Sequence, residues 1–255
     1  MLKKITVFIL SATVVFSCSP QTRSNRLAAS SDQTSIMNGR LTEESDTFAK
    51  HVVGIYKKGE TWCSGVVISE EFALTAAHCI DDVKGAKLVF GTNKSNWQYR
   101  EIVRFKQHEE YHDEVVGITD VPANDLLLIQ FKGGLPFGYQ PTRLPVADLI
   151  QDKALVTLIG FGMDENEAYD VLKTTEVSVV ESIPYEFRTT EKQSGSCSGD
   201  SGGPVFVRQS DSDYQLVGLV SRGDENCNTY GIYENVFYYV PWIQKTMADL
   251  KAVNQ

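Results

Sequence analysis

Short apolar runs, several of them bounded by turn residues, set the strongest limit on how this chain can fold. CSGVVIS at Cys63, KLVFG at Lys87, DLLLIQF at Asp125, ALVTLIGFG at Ala154, PVFVRQ at Pro204 and QLVGLVSRG at Gln215 are rich in Val, Ile and Phe, and several fall between Gly, Asn or Asp. That texture predicts many short strands in a sandwich or barrel. Periodicity by itself reaches no further than an all-β fold. One helix stands out: Pro241 suits a first helical position, and Ile243, Met247 and Leu250 then recur on one face, which predicts a helix over about 241–252. The Gly- and Pro-containing stretch from Gly133 to Leu149 is the best connector between two β-rich halves. No repeat of fixed period and no low-complexity tract interrupts this pattern.

The 255 residues suffice for one large domain or two modest ones. A net charge of −9 argues against a nucleic-acid surface, because phosphate binding needs a basic field. At the start, Lys3 and Lys4 precede an apolar run from Ile5 to Phe16, followed by Ser17 and Cys18. This is the layout of an export signal over 1–17, too short to span a bilayer comfortably. Export leads to an oxidising compartment and to disulfides. Of the five cysteines, Cys18 is the natural odd one. Val15-Phe16-Ser17-Cys18 resembles a bacterial lipoprotein cleavage box, which would lipidate Cys18 and anchor the chain to a membrane. Ordinary signal cleavage without lipid is the alternative. Residues 18–35 are polar and without apolar periodicity, and read as linker or propeptide.

The chemistry centres on CSGDSGGP, Cys197 to Pro204. Glycines around one serine suit a loop where the backbone takes positive φ or a substrate approaches closely. Such a loop can aim the N–H groups of Gly199 and Ser201 at one point, where they would stabilise an oxyanion. Ser201 is then a plausible nucleophile if a base reaches it. Among the four histidines, His51, His108 and His112 have polar or charged neighbours and read as solvated surface residues. His78 lies in LTAAHC, after a Val/Ile-rich strand and beside a cysteine. A buried carboxylate should orient the imidazole. Asp125, at the head of an apolar run, fits that role, although a strand-initiating Asp after Asn124 explains it equally well.

Together TAAHC, NDLLLIQF and GDSGGP, in that order, resemble the three signatures of the trypsin/chymotrypsin-like serine peptidases, and the resemblance extends from Ile36 to the C-terminal helix. It implies two six-stranded antiparallel β-barrels with the active site in the cleft between them, the first over about 36–140 and the second over about 141–240. It implies Ser201 as nucleophile, His78 as proton shuttle, Asp125 as orienting carboxylate, and Gly199 and Ser201 as oxyanion hole. It also implies bridges Cys63–Cys79 and Cys197–Cys227 and protein or peptide substrates; a monomer is expected, although the sequence does not name the oligomeric state. No zinc spacing or calcium loop stands out, and no cofactor is expected. Two rivals are a catalytically silent relative that binds a partner through the same cleft, and an exported β-protein carrying a chance motif.

The same resemblance implies a zymogen. Ile36-Met37-Asn38-Gly39 is similar to the family's mature N-terminus, whose freed ammonium pairs with the acid before the nucleophile, here Asp200. The activating protease is unknown, and Ser35 in place of a basic residue leaves its specificity open. The family's pocket floor falls at Gly195 with Ser196, its walls at Gly223 and Gly231, and its substrate-pairing strand at Ser221 and Gly223. With glycine at the floor the pocket is expected to be neutral and roomy, selecting Phe, Tyr, Leu or Met. Arg222 departs from the usual aromatic residue.

Overall fold

The computed structural model describes residues 36–252 apart from 44, 114–116, 120 and 211–212. The export signal, Cys18 and the 18–35 segment therefore lie outside the described residues. In chain order the strands are β1 (Arg40–Leu41), β2 (Val52–Lys57), β3 (Glu60–Val67), β4 (Phe72–Thr75), β5 (Lys87–Phe90), β6 (Gln98–Gln107), β7 (Leu127–Lys132), β8 (Leu155–Gly160), β9 (Lys173–Ser182), β10 (Glu186–Thr190), β11 (Pro204–Ser210), β12 (Asp213–Gly223) and β13 (Tyr230–Asn235), followed by helix α1 (Val236–Ala252).

Antiparallel pairing closes β2-β3-β4-β7-β6-β5 into one barrel. The second runs β9-β10-β13-β12-β11-β8, and β8 returns to β9 to close it. Closure leaves no open edge along either wall, which an exposed sheet of such apolar strands would present. Val53, Ile55, Leu88, Phe90, Leu127 and Ile129 fill the first barrel. Val156, Leu158, Val179, Phe187, Val205 and Tyr233 fill the second. A third cluster, with Phe72, Leu74, Leu128, Ile159, Phe161 and Phe206, joins the barrels and receives the helix through Val236, Tyr239 and Ile243. Residues between β7 and β8 connect the two halves, as the Gly133–Leu149 stretch suggested.

Two boundaries differ from expectation. The helix begins at Val236, five residues earlier, because Asn235 ends β13 and its side chain accepts the Phe237 N–H at 3.2 Å, an N-cap interaction. Pro241 consequently lies inside the helix. Residues 37–41 pair with the second barrel, whereas the sequence put them with the first: Arg40 and Leu41 pair with Thr174 and Lys173 on β9, and Met37 bridges Gly195.

Candidate active site

Strand β4 is buried throughout and hands the chain to a 3-10 turn, Ala77–Cys79, that carries His78. The Cys63–Cys79 disulfide, with Cα atoms 6.0 Å apart, ties this turn to β3. Asp125 stands two residues ahead of β7, after Asn124, which takes the left-handed conformation (φ 51°) and donates its side-chain amide to the Glu110 carbonyl at 2.8 Å. Asp125 is 3% exposed. Its Oδ2 lies 2.8 Å from His78 Nδ1, and its Oδ1 accepts the His78 backbone N–H at 3.0 Å. The Ser221 hydroxyl donates to Oδ2 at 2.7 Å. Of the two readings of Asp125, the geometry supports the carboxylate that holds the ring.

Electrostatics follow from this enclosure. Burial disfavours the imidazolium, yet the hydrogen bond and charge of Asp125 outweigh it, so the His78 pKa is raised. Burial likewise pushes Asp125 up, but its hydrogen bond to His78 and the bond from Ser221 bring it below the ordinary carboxylate value. His51 and His108 are less exposed than expected. Burial lowers the His51 pKa, with Nδ1 2.8 Å from the Gln140 carbonyl, and His108 packs against Tyr239 and Trp242. Apolar neighbours distant in sequence account for both, while His112 is exposed.

The loop from Cys197 to Gly203 is held from three sides. The Ser64 N–H donates to the Ser201 carbonyl at 2.9 Å, and the Ser64 hydroxyl to the Gly199 carbonyl at 3.0 Å. The Cys197–Cys227 disulfide, Cα atoms 5.2 Å apart, ties it to the loop before β13. Gly199 has φ 91°, and a side chain there would press on Gly162 Cα at 2.9 Å, so only glycine fits. Among the described residues, neither the Gly199 nor the Ser201 N–H donates to a protein group. His78, Gly199 and Ser201 line one cleft of about 380 Å³. No hydrogen bond joins His78 to Ser201, although both line the same cleft. Two free donors, a half-buried hydroxyl and a braced imidazole can together carry acyl transfer. Cys63, His78 and Cys79 also cluster, but both sulfurs are committed to the disulfide and offer no thiolate to a metal.

Ile36 is fully buried within the second barrel, and the Gly195 N–H donates to the Met37 carbonyl at 3.2 Å. Asp200 is fully buried, with Oδ1 accepting the Gly162 N–H at 2.8 Å and Oδ2 the Cys197 N–H at 3.0 Å. Burial pushes its carboxyl up to about 7.

Ser201 also borders a cavity of about 220 Å³ whose lining includes Ser196, Ser221, Arg222, Gly223, Asp224 and Glu225. Ser196, Ser221 and Gly223, expected from the sequence to bind substrate, all border this cavity. The Glu191 carboxylate occupies the space beside both Gly195 and Gly231, where a Cβ on either glycine would come to 2.2 Å from one of its oxygens. Arg222 is also engaged, donating to both oxygens of the buried Glu186 at 2.9 Å and to the Gly117 carbonyl at 2.7 Å. Sequence reading missed Ser64, Glu186, Glu191 and Glu234, whose Oε1 accepts the Asp125 N–H at 2.9 Å. None carries a motif; each becomes visible only through its partner.

Two closed barrels flanking a cleft with these side chains define the chymotrypsin-type serine peptidase class. The family model for trypsin matches residues 36–243, and the chain belongs to that family, which comprises serine endopeptidases.

Proposed function

We propose that this chain hydrolyses peptide bonds through an acyl-enzyme, with Ser201 as nucleophile, His78 as general base and then acid, and Asp125 as the carboxylate that orients His78. The supporting observation is the double hold of Asp125 on His78, through Nδ1 and the backbone N–H, beside a loop with two free donors. As the bond forms between Ser201 Oγ and the scissile carbonyl carbon, the hydroxyl proton passes to His78 Nε2. The carbonyl π electrons move to oxygen, stabilised by the Gly199 and Ser201 N–H groups. Asp125 stabilises the imidazolium. His78 then protonates the departing amine, and water repeats the sequence to release the acid. A fluorophosphonate probe tests this: the processed protein should label at Ser201, and the Ser201→Ala and His78→Ala variants should not. Labelling that survives Ser201→Ala would reject the assignment.

The protein is made as a zymogen, activated by cleavage before Ile36. Two observations support this. Asp200 makes no ion pair among the described residues, and an ammonium released at Ile36 would supply the partner that a buried carboxylate needs. Ile36, a β-branched residue, has φ 48°, a costly conformation defined only while its peptide bond to residue 35 is intact. N-terminal sequencing of active enzyme should begin at Ile36; active protein that begins upstream would reject this.

Export by the N-terminal leader, with Cys18 as the lipid-bearing residue, completes the reading. Two disulfides fit an oxidising compartment, and no described helix is long and apolar enough to cross a membrane. Mass spectrometry of the mature N-terminus should find a lipidated Cys18; a peptide starting at unmodified Ser19 would reject it.

A further inference from the structure

Asp224 and Glu225 line the cavity beside Ser201, and a third carboxylate, Glu191, lies behind its Ser196, against Gly195 and Gly231. Glu191 follows β10 directly, and its backbone N–H donates to the Thr229 carbonyl at 3.0 Å. From there its side chain turns back between the two segments expected to form the pocket floor and wall. A Cβ added to Gly195 would meet Glu191 Oε2 at 2.2 Å, and one added to Gly231 would meet Oε1 at 2.2 Å. The two glycines therefore do not enlarge the pocket. The volume they leave is filled by the carboxylate of a third residue.

The partners of that carboxylate are all neutral. Oε2 accepts the Ser196 N–H at 2.9 Å, both oxygens lie 3.3 Å from the Ser196 hydroxyl, and Oε1 accepts the Thr189 hydroxyl at 3.1 Å and the Tyr233 hydroxyl. Among the described residues Glu191 makes no ion pair, although it is 2% exposed. Burial among neutral groups pushes its carboxyl up to about 7. A buried anion held only by hydroxyls and one amide is an incomplete pair. Ser196 stands between it and the cavity, and its hydroxyl can accept from a ligand while donating to Glu191. At the cavity rim, Asp224 accepts N–H groups from Asn228, Thr229 and Tyr230, which lower its pKa although burial opposes them. The cation at the rim, Arg222, is already paired with Glu186.

We propose that Glu191 is the specificity-determining residue of this peptidase, and that through it and Ser196 the pocket selects substrates with Lys or Arg on the acyl side of the scissile bond. The inference rests on the peptidase reading above. A long cationic side chain entering from Ser201 passes the Ser196 hydroxyl and supplies the counter-charge that Glu191 lacks. A Phe or Leu side chain would leave the anion unpaired. The selectivity expected from Gly195 alone is thereby inverted, because the charge is delivered by a residue outside the motif.

The test uses the full chain processed before Ile36, titrated with a fluorophosphonate so that rates refer to labelled sites. Fluorogenic peptides identical except for Arg, Lys, Phe or Leu at the residue before the bond are then compared. Arg and Lys should exceed Phe and Leu by at least about 10-fold in kcat/KM. Glu191→Gln should lower the Arg and Lys values by roughly 100-fold, as for a buried charge deprived of its partner, and leave Phe within about threefold. Glu191→Asp should restore part of the loss. An alkylguanidine should inhibit the wild type competitively and Glu191→Gln far more weakly. A wild type that favours Phe or Leu overturns the proposal. So does a Glu191→Gln variant that loses all substrates equally, which marks a structural role. If Glu191→Gln fails to fold, the alkylguanidine inhibition of the wild type decides. Absence of labelling in the wild type overturns the peptidase reading instead, and this inference with it.

Discussion

Ser221 donates its hydroxyl to Asp125 Oδ2 at 2.7 Å, the oxygen that also faces His78 Nδ1 at 2.8 Å. A register shift between Val220 and Arg222 in the β12–β13 pairing places Ser221 at a bulge, the device by which a strand re-aims a side chain. Asp125 is thus held by the second barrel while it holds a ring carried by the first. Ser221→Ala removes one donor to a charged group, an interaction of about 1.5–3 kcal/mol. The expected outcome is a fall in kcat/KM of roughly 10-fold or more with little change in KM, measured on the processed enzyme.

Ser201→Ala should abolish fluorophosphonate labelling and lower kcat/KM by at least about 10⁴-fold, since members of such a unit act together. Ser201 is only half-buried and its side chain supports no described contact, so the melting temperature should stay within a few degrees of wild type. Calorimetry alongside the kinetics checks both halves.

His78 has a raised pKa because Asp125 overcomes its burial, so the neutral base is lost at a higher pH than for an ordinary imidazole. Activity should rise with pH through that raised value. The stability contributed by the charged pair runs the other way: it is complete below the ordinary imidazole pKa and is lost as pH rises through the folded one. Asp125→Asn should shift the acidic limb of the kcat/KM profile downward as well as slow the enzyme.

Burial pushes four carboxyls up: Glu191 and Asp200 to about 7, Glu234 to about 8, and Glu186 above its ordinary value. Between the ordinary carboxylate range and these values the folded state holds more protons than the unfolded one. The precursor should therefore lose stability as pH rises from about 4 to about 8. Cleavage before Ile36 should remove the Asp200 share by giving it a cation. Melting curves of precursor and processed protein at pH 5 and pH 8 measure this, and the precursor should show the larger loss.

Removing the acceptor beneath Asp125 tests the acidic network behind the site. Glu234→Leu leaves the Asp125 N–H unsatisfied, a cost of about 1–3 kcal/mol, whereas Glu234→Gln keeps an oxygen in place. Glu234→Leu should lower the denaturation midpoint and Glu234→Gln should recover most of it.

Much of this protein is legible in one dimension because its strands are short, apolar and punctuated by turn residues, and because three motifs keep their residues adjacent in the chain. The β-rich class and the connector from Gly133 follow from such local patterns, while His78, Asp125 and Ser201 are singled out together through the resemblance that the three motifs carry. The N-terminal edge of α1 did not, since Pro241 is a strong local signal and the Asn235 cap is visible only through its bond to Phe237.

What remained for tertiary structure is the set of partners. Glu191, Glu234 and Ser64 carry no local pattern, yet each places a polar group against a residue that a motif does announce. A backbone pattern records where one chain segment is buried or turned, because those preferences act over a few residues. Which side chain fills the volume that glycine leaves depends instead on how separate segments meet, and only the closed barrel brings Glu191 between Gly195 and Gly231.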